Sequence, residues 1–354
     1  MSYLFEYLIF LAEVVTIVVA LLIIISSVFS LGMRQQHADG DHGHLSISKV
    51  NDRLRNLRYA MEGTLLPPDA VKKQHKKEAK AETQAQKAQA DTLKQAAKKT
   101  PPATAEESTG RAYVLHFDGD VSASHVDLLR LEVSAILTMA TPADEVVICV
   151  ESPGGMVHSY GLAASQLTRI RNKGIPLTVV VDRVAASGGY LMAAVANKVL
   201  AAPFALVGSI GVVAQVPNIH RLLKKNDVDV EVLTAGKYKR TLTVFGENTD
   251  EAREKFVDEL EDVHALFQEF VAENRPDLNL ETVATGEAWY GKRALELGLV
   301  DGLSTSDEYL MALCDEREVF EVKWTEHKKP IDKLLGKVNM LLEQASGTLE
   351  MWRR

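Results

Sequence analysis

The chain has 354 residues, with 40 Lys and Arg against 48 Asp and Glu, for a formal net charge of −8; at roughly 150 residues per domain, that length holds about two domains, or one with long appendages. Hydrophobic residues at 46% and charged residues at 25% lie near the averages of folded proteins and exclude a wholly disordered chain. Cys149 and Cys314 are the only cysteines, which excludes a disulfide framework or a cysteine-based zinc cluster, and the acidic balance argues against a nucleic-acid partner.

The first predicted element is a membrane span. Val14 to Leu31 gives 18 uncharged residues, mostly Val, Leu and Ile, about the minimum for a hydrocarbon core of roughly 30 Å. Leu8 to Ala12 extend the run, with Glu13 as the one interruption. A cleaved signal peptide fits less well. The residues before the run carry Glu6 and no basic side chain, and the run is long for such a leader. Ser27 and Ser30 still leave a small-residue cleavage site available. Arg34, Lys49, Arg53, Arg55 and Arg58 all follow the run, so the positive-inside rule places the rest of the chain in the cytoplasm. That rule is weakest when a long domain follows.

Charge is uneven along the chain. Residues 1–110 hold 14 basic and 12 acidic residues, and the remaining 244 hold 26 and 36. Over residues 44–65, Leu45, Ile47, Val50, Leu54, Leu57, Met61 and Leu65 recur at roughly helical spacing, which predicts an amphipathic helix that packs on the main domain or on a membrane surface. Residues 71–99 carry nine Lys against three acidic residues, with Val71 and Leu93 as the only large apolar side chains. No core can be built from that composition, so it reads as a solvated helix or tether, ended by Pro101 and Pro102. A run so rich in lysine also suits contact with anionic lipid.

From Arg111 the pattern becomes that of an α/β domain. Strands are predicted at Ala112–Phe117, Glu145–Val150, Pro176–Val181 and Val199–Ala202. The second and third are continuous apolar runs, as expected for strands buried on both faces. Helices are predicted at His125–Ala140, Ser159–Asn172, Ser187–Asn197 and Glu251–Asn274, with a short one within Ala288–Gly298. Strands alternating with helices point to crossover connections. The predicted division is an anchor over 1–34, a helical, charged linker over 35–110, the main domain over 111–325 and an amphipathic C-terminal helix over 326–354. That last helix draws on Ile331, Leu334, Leu335, Val338, Leu341, Leu342 and Leu349.

Three turns carry candidate chemistry. Ser152-Pro-Gly-Gly155 follows a buried strand and precedes a helix, and its glycines let backbone N–H groups approach a ligand. A plain strand-to-helix turn would need the same glycines. Ala186-Ser-Gly-Gly-Tyr190 sets Ser187 at a helix start, where a nucleophile is accessible and free N–H groups lie beside it. The commoner use of such a serine is as a helix N-cap. Gly208-Ser-Ile-Gly-Val212 comes next, then Gly236-Lys-Tyr-Lys239, whose lysines alone would be read as surface charge.

Taken together, this string of motifs resembles the signal peptide peptidase A family of serine proteases, most closely its shorter SohB branch. The resemblance covers roughly residues 111–315, and the N-terminal anchor and charged linker are similar too. It implies a crotonase/ClpP-like fold of repeated ββα units and a serine–lysine dyad. By that match Ser187 is the nucleophile and Lys239 the general base, with Lys237 as the competing lysine. Ser209 matches a serine that orients the lysine. The N–H of Gly188 and that of Gly154 or Gly155 match an oxyanion hole. No cofactor and no metal are implied.

The chemistry fits these roles. A serine hydroxyl needs a base to become a nucleophile. A lysine can be that base only when neutral, which burial without a carboxylate partner favours. Two backbone donors then hold the oxyanion, and losing one such donor typically costs about 10²–10³ in rate.

Since the chain has a single copy of the catalytic domain, the resemblance implies a homo-oligomeric ring with the dyad shared between subunits. Ser187 and Lys239 are then expected out of hydrogen-bond reach within one subunit. A ring of anchored subunits also binds a bilayer with high avidity. The implied location is the bacterial inner membrane, single-pass, with the domain on the periplasmic side, against the positive-inside count. The implied substrates are peptides or membrane-protein and signal-peptide fragments. Three rivals stand beside this reading. One is a histidine base, as in ClpP, drawn from the ten histidines, with His158 near the first turn. Another is a crotonase-type enzyme acting on acyl-CoA, and the third an inactive scaffold or regulatory membrane protein.

Overall fold

The computed structural model describes residues 43–69, parts of 71–84, and 110–326. The predicted membrane span, most of the lysine-rich tether and the helix expected after Lys328 lie outside the described residues. Among the described residues no helix is long and apolar enough to cross a membrane. Leu45–Trp324 forms one compact unit.

The described chain opens with strand β1 (Gly43–Lys49) and helix α1 (Val50–Leu65). Then come β2 (Ala112–Asp118), α2 (Val126–Leu137), β3 (Glu145–Glu151), α3 (Val157–Asn172), β4 (Leu177–Val181), β5 (Val184–Ala186) and α4 (Gly188–Ala194). After these lie β6 (Lys198–Ala201), β7 (Leu206–Gly208), α5 (His220–Lys225), α6 (Asp250–Asn274) and α7 (Leu280–Val283). The last elements are β8 (Ala288–Tyr290), α8 (Gly291–Glu296), β9 (Gly302–Leu303), α9 (Ser306–Glu316) and β10 (Val319–Glu326). A seven-stranded sheet runs β1-β10-β2-β3-β4-β6-β9, and a three-stranded sheet runs β5-β7-β8.

Strand periodicity explains the layering. Leu115 and Phe117, Ile148 and Val150, and Val179 and Val181 enter the larger apolar core, to which α2, α3 and α4 contribute Leu129, Leu167 and Met192. Their neighbours Val114, Val147 and Val180 point the other way, into a second core with Leu310 and Leu313 of α9 and Val50 of α1. Successive strand residues face opposite sides of a sheet, so runs with both parities apolar need helices on both faces. The pairings of β10 with β2, β2 with β3, β3 with β4 and β4 with β6 are all parallel. The fold is therefore mixed α/β in three layers.

Residues 43–65 differ from the predicted single helix. Leu45-Ser-Ile-Ser48 alternates with period two and forms an edge strand, and the helix begins only at Val50. Asn51 fixes this start to the fold: its side-chain N–H groups donate to the carbonyls of Cys314 and Arg317, and its oxygen accepts from Val319 N–H. The segment belongs to the domain and not to the tether. The short helix predicted within Ala288–Gly298 is α8, with β8 preceding it.

Candidate active site

The small sheet brings two serines together. β5 pairs in parallel with β7, with Ala186 opposite Gly208. Ser187 and Ser209 are each the next residue, so both emerge from the same end of that sheet. Both have positive φ, 50° and 54°. Such a backbone is costly for a residue with a Cβ, by about 1–3 kcal/mol. Neighbouring bonds impose it: Ser187 N–H donates to Gly208 C=O at 2.7 Å and Ser209 N–H donates to Glu287 C=O at 2.6 Å. Ser187 stands at the N-cap position of α4, yet its side chain makes no capping hydrogen bond. Its hydroxyl is not spent on the helix.

The first turn packs against it. Gly154 has φ +90°, and a Cβ there would lie 2.8 Å from both the Ser187 Cβ and the Gly188 nitrogen. Gly188 in turn lies against the Tyr160 ring, where a Cβ would come to 2.3 Å. Ser152 organises this turn. Its Oγ accepts the Gly154 N–H at 3.0 Å and hydrogen-bonds the Tyr160 hydroxyl, which donates to Asp120 C=O at 2.7 Å. Burial pushes the Tyr160 phenol up, so it stays protonated as the donor that this network needs. The Gly154 N–H is therefore engaged. The N–H groups of Gly155 and Gly188 form no hydrogen bond among the described residues, which makes them the pair free to hold an oxyanion.

A cleft of about 880 Å³ opens over these residues. Val121, Pro153 to Val157, Ser187, Ser209, Gly211 to Val213, and Thr285 with Gly286 line it, and α6 adds Val257, Leu260, Glu261 and His264. Neither Lys237 nor Lys239 is part of this lining. Lys239 is exposed, and among the described residues no hydrogen bond joins it to Ser187 or Ser209. Ser209 Oγ donates instead to Gly286 C=O at 3.3 Å. Lys237 lies 2.9 Å from Glu251 and over the Tyr238 ring. A hydrogen bond with Tyr238, and then the Glu251 carboxylate, hold its pKa above the ordinary lysine value. Such a lysine stays protonated and is a poor general base.

The histidines divide in the same way. His158 is exposed and outside the cleft lining. His125 accepts a hydrogen bond from Asp118 N–H at 3.4 Å, and His220 is engaged with Phe245 C=O at 3.2 Å. His264 does line the cleft, its Nε2 lying 3.1 Å from the amide nitrogen of Gln268.

The site elements coincide with a known family. A model described as "Peptidase family S49 N-terminal" matches residues 2–167, and one described as "Peptidase family S49" matches residues 169–319. The chain belongs to peptidase family S49. This S49 chain is 47% identical over 327 residues to a probable protease SohB of Haemophilus influenzae, across 92% of this chain and 90% of that one. It is 40% identical over 337 residues to a putative protease SohB of Buchnera aphidicola subsp. Baizongia pistaciae, across 95% of both. A solved membrane-bound stomatin-specific protease is similar at 14% identity and a TM-score of 0.38, over 58% of this chain and 85% of that one.

In this S49 domain the structure brings together Ser187, Ser209, Gly154, Gly155 and Gly188. It does not bring Lys239 to them within one chain. Glu261 and His264 were not singled out for the cleft from sequence. The regular spacing in Glu251–Asn274 predicts an amphipathic helix but does not say which face looks onto which neighbour.

Proposed function

We propose that the chain is a membrane-anchored serine endopeptidase whose mixed α/β domain is crotonase/ClpP-like, with Ser187 as nucleophile and Lys239 of a neighbouring subunit as general base. The observation that carries this reading is Ser187 itself. It is strained, half-buried, free of capping duty, and set in a cleft beside the N–H groups of Gly155 and Gly188. In the proposed reaction Ser187 Oγ bonds to the peptide carbonyl carbon as its proton passes to the neutral Lys239 amine. The two N–H groups hold the oxyanion. The C–N bond breaks, the leaving amine takes the proton from Lys239, and water then hydrolyses the acyl-enzyme.

Two features favour a dyad shared between copies. Among the described residues no lysine lines the cleft of a single chain. The segment carrying Lys239 also exposes large apolar side chains, with Val213 85% and Leu233 89% exposed. Large apolar side chains left this exposed favour an interaction surface. Packing against a second copy would remove Lys239 from water, as a neutral amine requires. Ser209 would orient that amine without adding charge. The anchor would be the N-terminal apolar run in the inner membrane, with the domain on the periplasmic side, and the substrates peptides or membrane-protein fragments. A second reading rests on His264, the one histidine in the cleft lining, as a base within the same chain.

The test is hydrolysis of a fluorogenic peptide by detergent-solubilised protein. Ser187→Ala and Lys239→Ala are each expected to lose at least about 10³ in kcat/KM, and His264→Ala to keep most of it. Activity surviving in Lys239→Ala and lost in His264→Ala would transfer the base to the histidine. Full activity in Ser187→Ala would end the serine reading.

A further inference from the structure

One wall of the Ser187 cleft is a face of α6. Val257, Leu260, Glu261 and His264 follow the spacing of one helical face and all line the cleft. The remaining walls supply backbone, hydroxyls and apolar side chains such as Val121 and Met156. Among the described residues Glu261 is thus the one carboxylate in the lining, and neither lysine nor arginine lines it. Its own helix does not neutralise it: Lys255 lies 4.0 Å from Glu259 and over the Tyr238 ring. Among the described residues Glu261 takes part in no ion pair. It is exposed to the cleft water. A groove with one sign of charge and low-dielectric walls focuses that field on whatever binds there.

From this we infer that Glu261 is a specificity-determining residue that favours a basic side chain of the bound peptide, at a position flanking the bond to be cut. The inference rests on the reading of this cleft as the peptide-binding site. The lysine or arginine of a peptide would meet the Glu261 carboxylate, while an aspartate or glutamate in the same place would meet a like charge and be rejected. The apolar walls bind the rest of the peptide without regard to charge.

The experiment uses peptides of one apolar sequence in which a single residue is Lys, Gln or Glu, scanned through the positions on both sides of the scissile bond. In the wild type, kcat/KM for Lys over Gln is expected to reach about threefold to fivefold at one position, the size of a solvent-accessible charge pair. That preference should shrink as salt is raised. Glu261→Gln should bring the ratio to about one, and Glu261→Lys should favour Glu instead. A ratio between peptides cancels any general loss of activity in a variant. The same peptides, fluorescently labelled, are titrated onto Ser187→Ala protein with and without Glu261→Lys. This reads the preference as a ratio of dissociation constants and does not depend on hydrolysis. A charge ratio that Glu261→Lys leaves unchanged at every position, in both measurements, overturns the inference. A preference seen in binding without any hydrolysis by wild-type protein keeps it and counts against the peptidase chemistry alone.

Discussion

Ser187 is held in a conformation that glycine would adopt without strain, φ 50° and ψ −118°. Strain of this kind persists only where surrounding structure enforces it, here the bond from Ser187 N–H to Gly208 C=O. Ser187→Gly should therefore be more stable than Ser187→Ala by about 1 kcal/mol, after the larger unfolded-state entropy of glycine is offset. Thermal unfolding of the two variants measures this, and equal midpoints would mean that the position is unstrained. Cys149 tests a different feature of the same domain. Burial, then the nearby Asp182 carboxylate, pushes its thiol up to about 12. It should react with iodoacetamide at pH 8 far more slowly than a free thiol, and at the ordinary rate once the chain is unfolded. At this scale the sequence showed the Ser187 turn and the two glycine turns, because their residue types are set by backbone angles and close approach. It did not decide between Gly154 and Gly155. The deciding contact is the Ser152 hydroxyl on the Gly154 N–H, and a hydroxyl's aim depends on the Tyr160 partner 8 residues on.

Helix α6 links the cleft to the core. Its middle, from Val257 to His264, walls the cleft, and its end is pinned by Val271, which is fully buried. Arg275, just past the helix, forms two bonds with Asp301 at 2.7 and 2.8 Å and a third with Gly298 C=O. Asp301 also accepts Val199 N–H of β6 at 2.7 Å. Burial would raise the Asp301 carboxyl, but the hydrogen bonds from Arg275 and Val199 outweigh it and hold it below the usual value. A carboxylate lowered on folding stabilises above its unfolded pKa of about 3.9, and that contribution is lost as pH falls through the lower folded value. Asp301→Asn should thus cost about 1–2 kcal/mol at pH 7, with the difference from wild type closing below pH 4. Urea unfolding at both pH values checks this, and a difference independent of pH would remove the charge from the explanation. Elements of this length were legible: β3, β4, α3 and α6 appear within a few residues of their predicted bounds. β5, β7 and β8, three residues each, are too short to show a period. β1 was absorbed into a helix because Leu45 and Ile47 continue the apolar spacing of α1, although Ser46 and Ser48 alternate with them.

At the scale of the molecule, one chain presents the proposed nucleophile, Ser187, without its proposed base. The segment from Gly211 to Thr249, which holds both lysines of Gly236-Lys-Tyr-Lys239, is mostly exposed and carries several uncovered valines and leucines. Sequence reasoning named Lys239 through family resemblance, and among the described residues Lys239 is not part of the cleft lining. Where it goes on assembly was not legible, because spacing within a chain holds no information about a second copy. In a ring closed by head-to-tail contacts, each cleft meets a different surface of its neighbour, so complementation between defective subunits is possible. Detergent-solubilised Ser187→Ala and Lys239→Ala proteins, each expected to be inactive alone, are dissociated, mixed in equal amounts and reassembled. About a quarter of the interfaces then pair an intact Ser187 with an intact Lys239 from the neighbour, and peptidase activity near that fraction of wild type is predicted. Mixtures as inactive as their parts, with mixed oligomers demonstrated, would contradict a dyad shared between subunits.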